Sequence, residues 1–402
     1  SHRIYDLVSK IGYKKTEVKK EANCLVLNTC HIREKATEKV YHDIGRIKKA
    51  FRNKQKPIVV ISGCVAQAEG EILLRKEKYI DAVIGPQSYH QFNETLLKAE
   101  KGVKKINSTE FEVIEKFDQL NHIKNSESKV SSFLTIQEGC NKFCKFCVVP
   151  YTRGTEYSRS IIELVQECKS LVSNGAKEIT LLGQNVNAYN FKGERLSNLI
   201  KEISKIKNLE RIRYTTSHPI DFTEDLIKIH NTSEKLMPLI HLPVQSGSNK
   251  ILKMMNRKHT IEDYLNIIAK LKILKKNIQF SSDFIIGYPG ETDEDFDLTI
   301  QLMKKVKYIN SFSFIFSPRP GTPAASMKPI DESIAKKRLI IFQKIANEIK
   351  LNYRKNLLNK KSLVLFENRI GSKNEFFGRD KYLNSVIVKT NENLEGKIKE
   401  VK

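Results

Sequence analysis

Residues Gly139–Cys147 read GCNKFCKFC and place Cys140, Cys144 and Cys147 at a Cys-x3-Cys-x2-Cys spacing. Cysteine thiolates are the usual ligands of iron–sulfur clusters, and three of them in one loop can reach three irons of a four-iron cube. The fourth iron is then left open, and an open metal position can bind a substrate or a cofactor. The stretch therefore predicts an open 4Fe-4S cluster.

Two other interpretations of these cysteines stay open. A structural zinc site is normally closed by four ligands, often as two Cys-x2-Cys pairs. No second pair follows Cys147 closely, because Cys168 lies alone in a helical pattern. Plain buried thiols would need no ligand at all. We expect Cys168, and Cys24 in the N-terminal region, to be core thiols.

Size and charge narrow the class of protein. A chain of 402 residues is too long for one ordinary core, so two or three domains are expected. The net charge of +24 favours a polyanionic partner such as nucleic acid, although a merely lysine-rich surface would give the same excess. No apolar run approaches the roughly 18–20 residues that span a bilayer. Seven partly clustered cysteines suit metal ligation in a reducing cytosol, so we expect a cytoplasmic protein without a membrane segment.

Helical and strand-like patterns alternate over residues 1–104, which predicts a small doubly wound α/β domain. Two strand-like runs end at Cys30 and Cys64, and such sheets collect ligands at the carboxyl ends of their strands. The pattern could therefore bring Cys30 and Cys64 together. Residues 105–128 are polar and irregular and are predicted to be a linker.

Six strand-like runs alternate with helical patterns over residues 129–356, which predicts a parallel sheet curved into a partial (β/α)6 barrel. Polar residues follow these runs, among them Gln184, Asn185, Ser217 and Gln245. Each alone is typical of an ordinary turn, but barrel enzymes form their active sites at this end of the strands. Together the polar residues predict a ligand-binding rim.

Two further stretches have both a structural and a functional interpretation. Asp283–Thr292 joins a strand, a glycine turn at Gly287 and a helix start, where Thr292 with Asp295 resembles a capping box. In the structural interpretation, helix capping explains the acidic residues of this stretch. In the functional interpretation, Gly287 lets the backbone come close to a bound ligand. Residues 359–402 predict a small β-barrel, whose basic and aromatic residues could hold phosphates and stack bases.

The stretch Gly139–Cys147 resembles the signature of radical S-adenosylmethionine (SAM) enzymes, including the aromatic Phe146 before the last cysteine. The resemblance implies that the open iron binds SAM, whose reductive cleavage yields a 5'-deoxyadenosyl radical. It also implies that the strand ends and the glycine turn contact SAM; the candidate residues are Phe146, Gln184, Asn185, Ser217, Gln245 and Gly287.

The wider run, TIQEGC before the loop and VVPYTRG after it, is similar to the methylthiotransferases and most to their tRNA-modifying branch. That family carries a second 4Fe-4S cluster on three N-terminal cysteines. Cys30 and Cys64 match two of these ligands, and the third, in a Gly-Cys-x-x-Asn stretch, would precede Ser1. The resemblance also implies that residues 359–402 are an RNA-binding TRAM domain that stops short of its last strand.

Residues 28–36 and 149–154 look like the bacterial enzymes that act on dimethylallyl-modified adenosine next to the tRNA anticodon. The implied reaction is methylthiolation at C2 of the adenine. One SAM methylates a sulfur attached to the second cluster, and another supplies the radical. The alternatives are a methylthiotransferase acting on an aspartate of a ribosomal protein and a non-enzymatic iron–sulfur RNA-binding protein.

The implied partners follow from this chemistry. They are tRNA, an electron donor such as a flavodoxin or ferredoxin, and a sulfur donor or iron–sulfur carrier. We expect the protein to act as a monomer.

Overall fold

A computed structural model describes residues 2–30, 34–110, 129–371 and 374–402. The chain forms two compact units. Unit 1 combines Ser1–Ser126, Gly139–Glu156 and Ser317–Ala325, and unit 2 combines Glu127–Glu138, Tyr157–Phe316 and Ser326–Lys402. Unit 1 thus contains both the N-terminal sheet and the cysteine loop, whereas the domain limits predicted at residues 104, 128 and 356 remain predictions.

Unit 1 is built on a parallel sheet of four strands in the order β1-β2-β3-β4. The strands are β1 (Cys24–Thr29), β2 (Ile58–Gly63), β3 (Ala82–Ile84) and β4 (Ile106–Ser108). The helices are α1 (His2–Ser9), α2 (Glu34–Ala50), α3 (Cys64–Lys76), α4 (Phe92–Glu100) and α5 (Val149–Arg153), the last of which follows the cysteine loop.

Both faces of this sheet are covered by helices. On β2, Val59 and Ile61 pack with α2 and α3, whereas Val60 packs with α1 and α4. Successive side chains of a strand point to opposite faces, so one buried strand serves two apolar layers. The predicted doubly wound α/β domain is confirmed.

Strand β4 lies inside the segment that the sequence predicts as an irregular linker. Ile106 pairs with Ala82 of β3 in parallel register and packs into the apolar layer of α1 and α4. A single apolar residue among polar neighbours gives too little periodicity to predict a strand. The rest of that predicted linker, residues 111–128, lies outside the described residues.

Unit 2 contains two parallel three-stranded sheets, β11-β8-β5 and β12-β13-β14. An isolated parallel bridge pairs Ile212 of β11 with Leu236, which precedes β12. The strands of the two sheets are β5 (Ser131–Thr135), β8 (Glu178–Leu182), β11 (Arg211–Tyr214), β12 (Leu239–His241), β13 (Gln279–Ile286) and β14 (Asn310–Ile315). Two short antiparallel pairs accompany them: β6 (Gln137–Glu138) with β7 (Tyr157–Ser158), and β9 (Asn190–Phe191) with β10 (Glu194–Arg195).

Helices follow these strands along the chain: α6 (Ile161–Ser173), α7 (Leu196–Ser204), α8 (Glu224–Thr232), α9 (Asn249–Met254), α10 (Ile261–Leu274), α11 (Asp293–Val306) and α12 (Glu332–Lys355). Alternate strand residues such as Leu134, Ile212 and Phe284 pack with helix residues in one core. The residues between them lie on the opposite, concave face of the strands. The predicted partial (β/α)6 barrel is confirmed.

The C-terminal part of unit 2 is a curled antiparallel sheet in the order β17-β16-β15-β18. Its strands are β15 (Ser362–Ile370), β16 (Glu375–Asp380), β17 (Ser385–Lys389) and β18 (Ile398–Val401). A register shift between Phe366 and Asn368 bends β15, as β-bulges do. None of the helices in the described ranges combines the length and apolar character that crossing a membrane requires.

Candidate iron–sulfur and cofactor site

The cysteine loop of unit 1 is closed at its base by backbone geometry. Gly139 has a φ of 76°, and a Cβ there would lie 1.9 Å from the carbonyl oxygen of Thr155, so glycine is required. The amide of Cys140 donates to the carbonyl oxygen of Gly154 at 3.1 Å. Asn141 and Glu156 exchange two hydrogen bonds between side chain and backbone, of 3.2 and 3.1 Å. These contacts fix the two ends of the loop together.

The three cysteines of the loop are free of disulfides and differ in exposure. Cys144 is buried, while Cys140 and Cys147 are half-buried. The amide of Cys147 donates to the carbonyl oxygen of Cys144 at 2.9 Å. Burial raises the pKa of the Cys140 thiol to about 11. Binding of a metal would have to displace the thiol proton, because cysteine ligates as a thiolate.

Three thiolates in one loop suit a cube, with one thiolate to each of three irons. Within the described ranges, no three His, Cys, Asp or Glu side chains converge on one ion position. The cluster remains a prediction at this point.

Cys30 and Cys64 directly follow two paired positions of the N-terminal sheet. Thr29 of β1 is in register with Gly63 of β2, so the two cysteines come next at the carboxyl ends of adjacent strands. Gly63 has a φ of 92°, and a Cβ there would lie 2.3 Å from the carbonyl oxygen of Thr29. The fold thus places both candidate ligands at one edge, while their metal role remains a prediction.

Cys24 and Cys168 lie away from these two positions. Cys24 is in register with Ile58, at the other end of β1, and burial raises its pKa to about 12. Cys168 is fully buried in the barrel core, where burial likewise raises its pKa to about 12. Both behave as the core thiols that the sequence predicts.

Gln87 is a candidate positioning residue that sequence reasoning missed. It is fully buried after β3, and its Nε2 donates to the carbonyl oxygen of Arg153 at 2.6 Å. The bond joins the carboxyl end of the N-terminal sheet to α5, the helix that follows the cysteine loop. Its only sequence signal is the preceding Gly85 and Pro86, which are equally typical of an ordinary turn.

Gln137 organises the rim of unit 2, and sequence reasoning did not select it. Its side chain is fully buried, and Oε1 accepts from the amides of Gln184 at 3.0 Å and Asn185 at 3.1 Å. Its Nε2 donates to the carbonyl oxygen of Glu138 at 3.1 Å. A Cβ on Gly183 would lie 2.6 Å from Oε1, so glycine admits this approach. One amide therefore sets the backbone of two predicted SAM contacts.

Asn185 and Ser217 lie at the carboxyl ends of neighbouring strands, β8 and β11. Nδ2 of Asn185 donates to Oδ2 of Asp221 at 2.7 Å. The amide of Val186 donates to the carbonyl oxygen of Thr216 at 2.9 Å, which ties the two strand ends together. Ser217, the residue after Thr216, is buried. The structure therefore gathers three of the predicted rim residues, Gln184, Asn185 and Ser217.

Gln245 and Gly287 follow β12 and β13, the strands of the second sheet. Gln245 has a φ of 75° and forms an isolated bridge with Phe284. The amide of Gly287 donates to Oε1 of Glu291 at 3.0 Å, and a Cβ there would lie 2.9 Å from the Cβ of Ala335. Packing alone therefore accounts for glycine at this position, and its SAM contact remains a prediction.

The fold and the cysteine loop define a radical SAM protein. Residues 134–303 match the Radical SAM superfamily, and residues 1–85 match Uncharacterized protein family UPF0004. A radical S-adenosylmethionine methyltransferase from Kitasatospora setae, solved with cobalamin and a 4Fe-4S cluster, superposes with a TM-score of 0.62 at 14% identity. The match covers 81% of this chain and 70% of that chain and supports the fold alone.

Two curated relatives show to which group of radical SAM enzymes the chain belongs. The tRNA-2-methylthio-N(6)-dimethylallyladenosine synthase of Pelagibacter ubique is 59% identical over all of this chain and 91% of its own length. The enzyme of the same name from Rickettsia canadensis is 49% identical over all of this chain and 93% of its own length. This chain belongs to the tRNA-2-methylthio-N(6)-dimethylallyladenosine synthases of the Radical SAM superfamily. It is therefore a transferase that uses a 4Fe-4S cluster and SAM.

Proposed function

We propose that this enzyme methylthiolates C2 of N(6)-dimethylallyladenosine next to the anticodon of tRNA. The observation that carries the proposal is the 59% identity, along the whole chain, to a synthase named for this product. The net charge of +24 suits a polyanionic substrate. Neither alternative, a ribosomal-protein aspartate as substrate or a non-enzymatic iron–sulfur protein, has a comparable observation in its favour.

Cys140, Cys144 and Cys147 would hold the cluster that binds SAM. With SAM, this group supplies the radical chemistry that removes hydrogen from an unactivated carbon, which no side chain can do as a general base. The chain's contribution would be to supply three thiolates from a loop closed by Gly139, which would leave the fourth iron for SAM.

SAM would be held by Phe146, Gln184, Asn185, Ser217, Gln245 and Gly287. Gln184 and Asn185 are the best supported of these residues, because Oε1 of Gln137 accepts from both of their backbone amides and so fixes the backbone at the rim. Asp221 orients the Asn185 amide through its bond to Nδ2.

A second 4Fe-4S cluster would use Cys30 and Cys64 as two of its three cysteine ligands. Support comes from the register of β1 and β2, which puts both cysteines after paired residues. Their exposure also suits the role, since Cys30 is exposed and Cys64 is half-buried. A sulfur on this cluster would be the group that is transferred.

The C-terminal sheet would act as a TRAM domain that binds tRNA. Arg379 lies over the half-buried ring of Phe377 at 5.1 Å, whereas the ring of Tyr382, over which Lys381 lies, is itself buried. The Arg379–Phe377 pair presents charge and stacking surface together, the combination that single-stranded RNA binding uses. The enzyme would work as a monomer in the cytoplasm, with a flavodoxin or ferredoxin as electron donor and an iron–sulfur carrier or other sulfur donor.

Mass analysis of tRNA nucleosides from cells with and without the full-length gene tests the proposal. We expect the deletion to remove the methylthio group and to accumulate dimethylallyladenosine. An unchanged nucleoside profile would contradict the proposal that tRNA is the substrate. The mass of the ribosomal protein would then be measured in both strains, to show whether the deletion removes a methylthio group from it. Absence of 5'-deoxyadenosine from the reduced, reconstituted enzyme would contradict radical chemistry itself.

A further inference from the structure

Two phenylalanines on the concave face of the barrel in unit 2 are largely exposed. Phe133 of β5 is 67% exposed and Phe312 of β14 is 52% exposed. Leu134, the neighbour of Phe133, belongs to the core beneath the helices, so Phe133 points to the opposite face. Phe312 is in register with Asp283, whose neighbour Phe284 belongs to the same core. Both rings therefore face the inside of the open barrel.

The two rings occupy the outer strands of the arc. β5 is the end strand of the sheet β11-β8-β5, and β14 is the end strand of β12-β13-β14. Burying an apolar side chain stabilises a protein, so exposing two of them on one face forgoes stability. An apolar ligand that covers them would recover this burial.

The rest of the concave face differs in character from these rings. Nε2 of His241 lies 3.4 Å from Oδ2 of Asp283. The His241 ring also contacts the Phe312 ring edge to face, with 6.1 Å between the ring centroids. Arg213 and Glu178 form a buried ion pair, and the same guanidinium donates to the carbonyl oxygens of Lys381 and Asp380. The face thus combines two apolar rings with a polar centre, which fits a small apolar group attached to a polar base.

We propose that Phe133 and Phe312 bind the dimethylallyl group of the substrate adenosine and make the enzyme select the prenylated base. This inference rests on the proposed function, which supplies a branched five-carbon group on an adenine nitrogen. The group is apolar, as the two exposed rings are. An unmodified adenosine would leave both rings exposed.

The test compares anticodon stem-loop RNAs that carry either dimethylallyladenosine or adenosine at the same position. Binding constants and kcat/KM are measured for the full-length enzyme with its clusters. We expect Phe133→Ala and Phe312→Ala each to reduce the preference for the prenylated RNA by about tenfold, the order typical of apolar pocket contacts. Binding of the unmodified RNA should stay within about twofold, because these RNAs lack the group that the rings contact.

Matched variants separate this role from a structural one. Phe312→Leu should restore part of the preference, since it keeps an apolar side chain. Ile273→Ala removes a side chain that is 78% exposed on α10, outside the core, and should change nothing. Thermal unfolding shows whether the alanine variants remain folded; if either does not, the leucine variants at both positions decide.

The possible failures are distinguishable. Wild-type preference retained in both alanine variants would overturn the inference while leaving the proposed function intact. Equal weakening of both RNAs would also overturn it, because the rings would then serve the fold or general RNA binding. A wild-type enzyme that neither prefers nor methylthiolates the prenylated RNA would instead contradict the proposed function.

Discussion

Arg213 and Glu178 form a buried ion pair between neighbouring strands of the barrel, with Nε of the arginine 2.9 Å from Oε2 of the glutamate. The same guanidinium donates to the carbonyl oxygens of Lys381 at 3.0 Å and Asp380 at 3.1 Å. One side chain therefore joins the barrel to the curled C-terminal sheet.

Replacing Arg213 should loosen the C-terminal sheet. Arg213→Ala leaves the Glu178 carboxylate buried without its partner, and breaking a buried pair in this way costs about 3–5 kcal/mol. Urea unfolding should show the loss, and limited proteolysis should cut within residues 362–402. Arg195→Ala is the control, since its pair with Asp225 at 3.5 Å is exposed and worth less than about 1 kcal/mol. Equal stability of both variants would contradict this role.

Substitutions of Cys144 and Cys168 should distinguish a cluster ligand from a core thiol. Cys144→Ala should abolish cluster assembly and activity while leaving the fold, because the loop loses one of three thiolates. Cys168→Ala should keep both and cost about 1 kcal/mol as a small cavity. Iron and sulfide content per chain, with 5'-deoxyadenosine release, measures the difference. Loss of iron from the Cys168 variant would refute its assignment to the core.

Gln137 should control SAM binding through the rim backbone. Gln137→Leu leaves the amides of Gln184 and Asn185 without their acceptor, at a cost of about 1–3 kcal/mol for each. We expect weaker SAM binding as well as lower stability. Gln137→Glu keeps the accepting oxygen but loses the Nε2 donor to the Glu138 carbonyl oxygen and buries a carboxyl group, so it should restore only part of the affinity. Unchanged SAM affinity in the leucine variant would show that the rim does not depend on this amide.

Two buried histidines should make stability depend on pH. Burial, aided by Lys275, lowers the pKa of His230 to about 3, and its Nε2 lies 2.7 Å from the Tyr214 hydroxyl. Burial, aided by Arg257, lowers the pKa of His259 to about 4. The unfolded chain binds protons at the ordinary value near 6.5, so it is favoured as the pH falls below that value.

Stability should therefore be complete above about pH 6.5 and decline toward the folded pKa values of about 3 and 4. Urea unfolding of the cluster-free protein at several pH values measures the slope. His230→Gln cannot take up a proton and should flatten the slope between about pH 6 and pH 4, whatever its effect at neutral pH. An identical slope in this variant would contradict the assignment.

The local parts of the site could be predicted from the sequence. Cys140, Cys144 and Cys147 lie within eight consecutive positions, so their spacing alone indicates a shared cluster. Apolar periodicity likewise predicts the alternation of strands and helices, because a strand or helix needs only neighbouring residues to bury one face. The order of the elements then restricts the fold to a doubly wound sheet and a partial barrel.

The supporting contacts could not be predicted, because they join residues far apart in sequence. Gln137 meets the amides of Gln184 and Asn185 across 47 and 48 positions, and Arg213 reaches Asp380 across 167. A glutamine or an arginine gives no sign in sequence of the carbonyl or amide that it will meet. Only tertiary packing decides which polar group is buried, and burial then makes its hydrogen bonds obligatory.

The exposed rings of Phe133 and Phe312 show the same difference between what the sequence predicts and what tertiary packing decides. In sequence each phenylalanine is one more apolar residue of a strand, typical of a core. The sequence determined that the strands form and that the cysteines can hold a cluster. The tertiary structure decided which strand face meets the helices, since that face takes the apolar neighbours and leaves these two rings on the concave side.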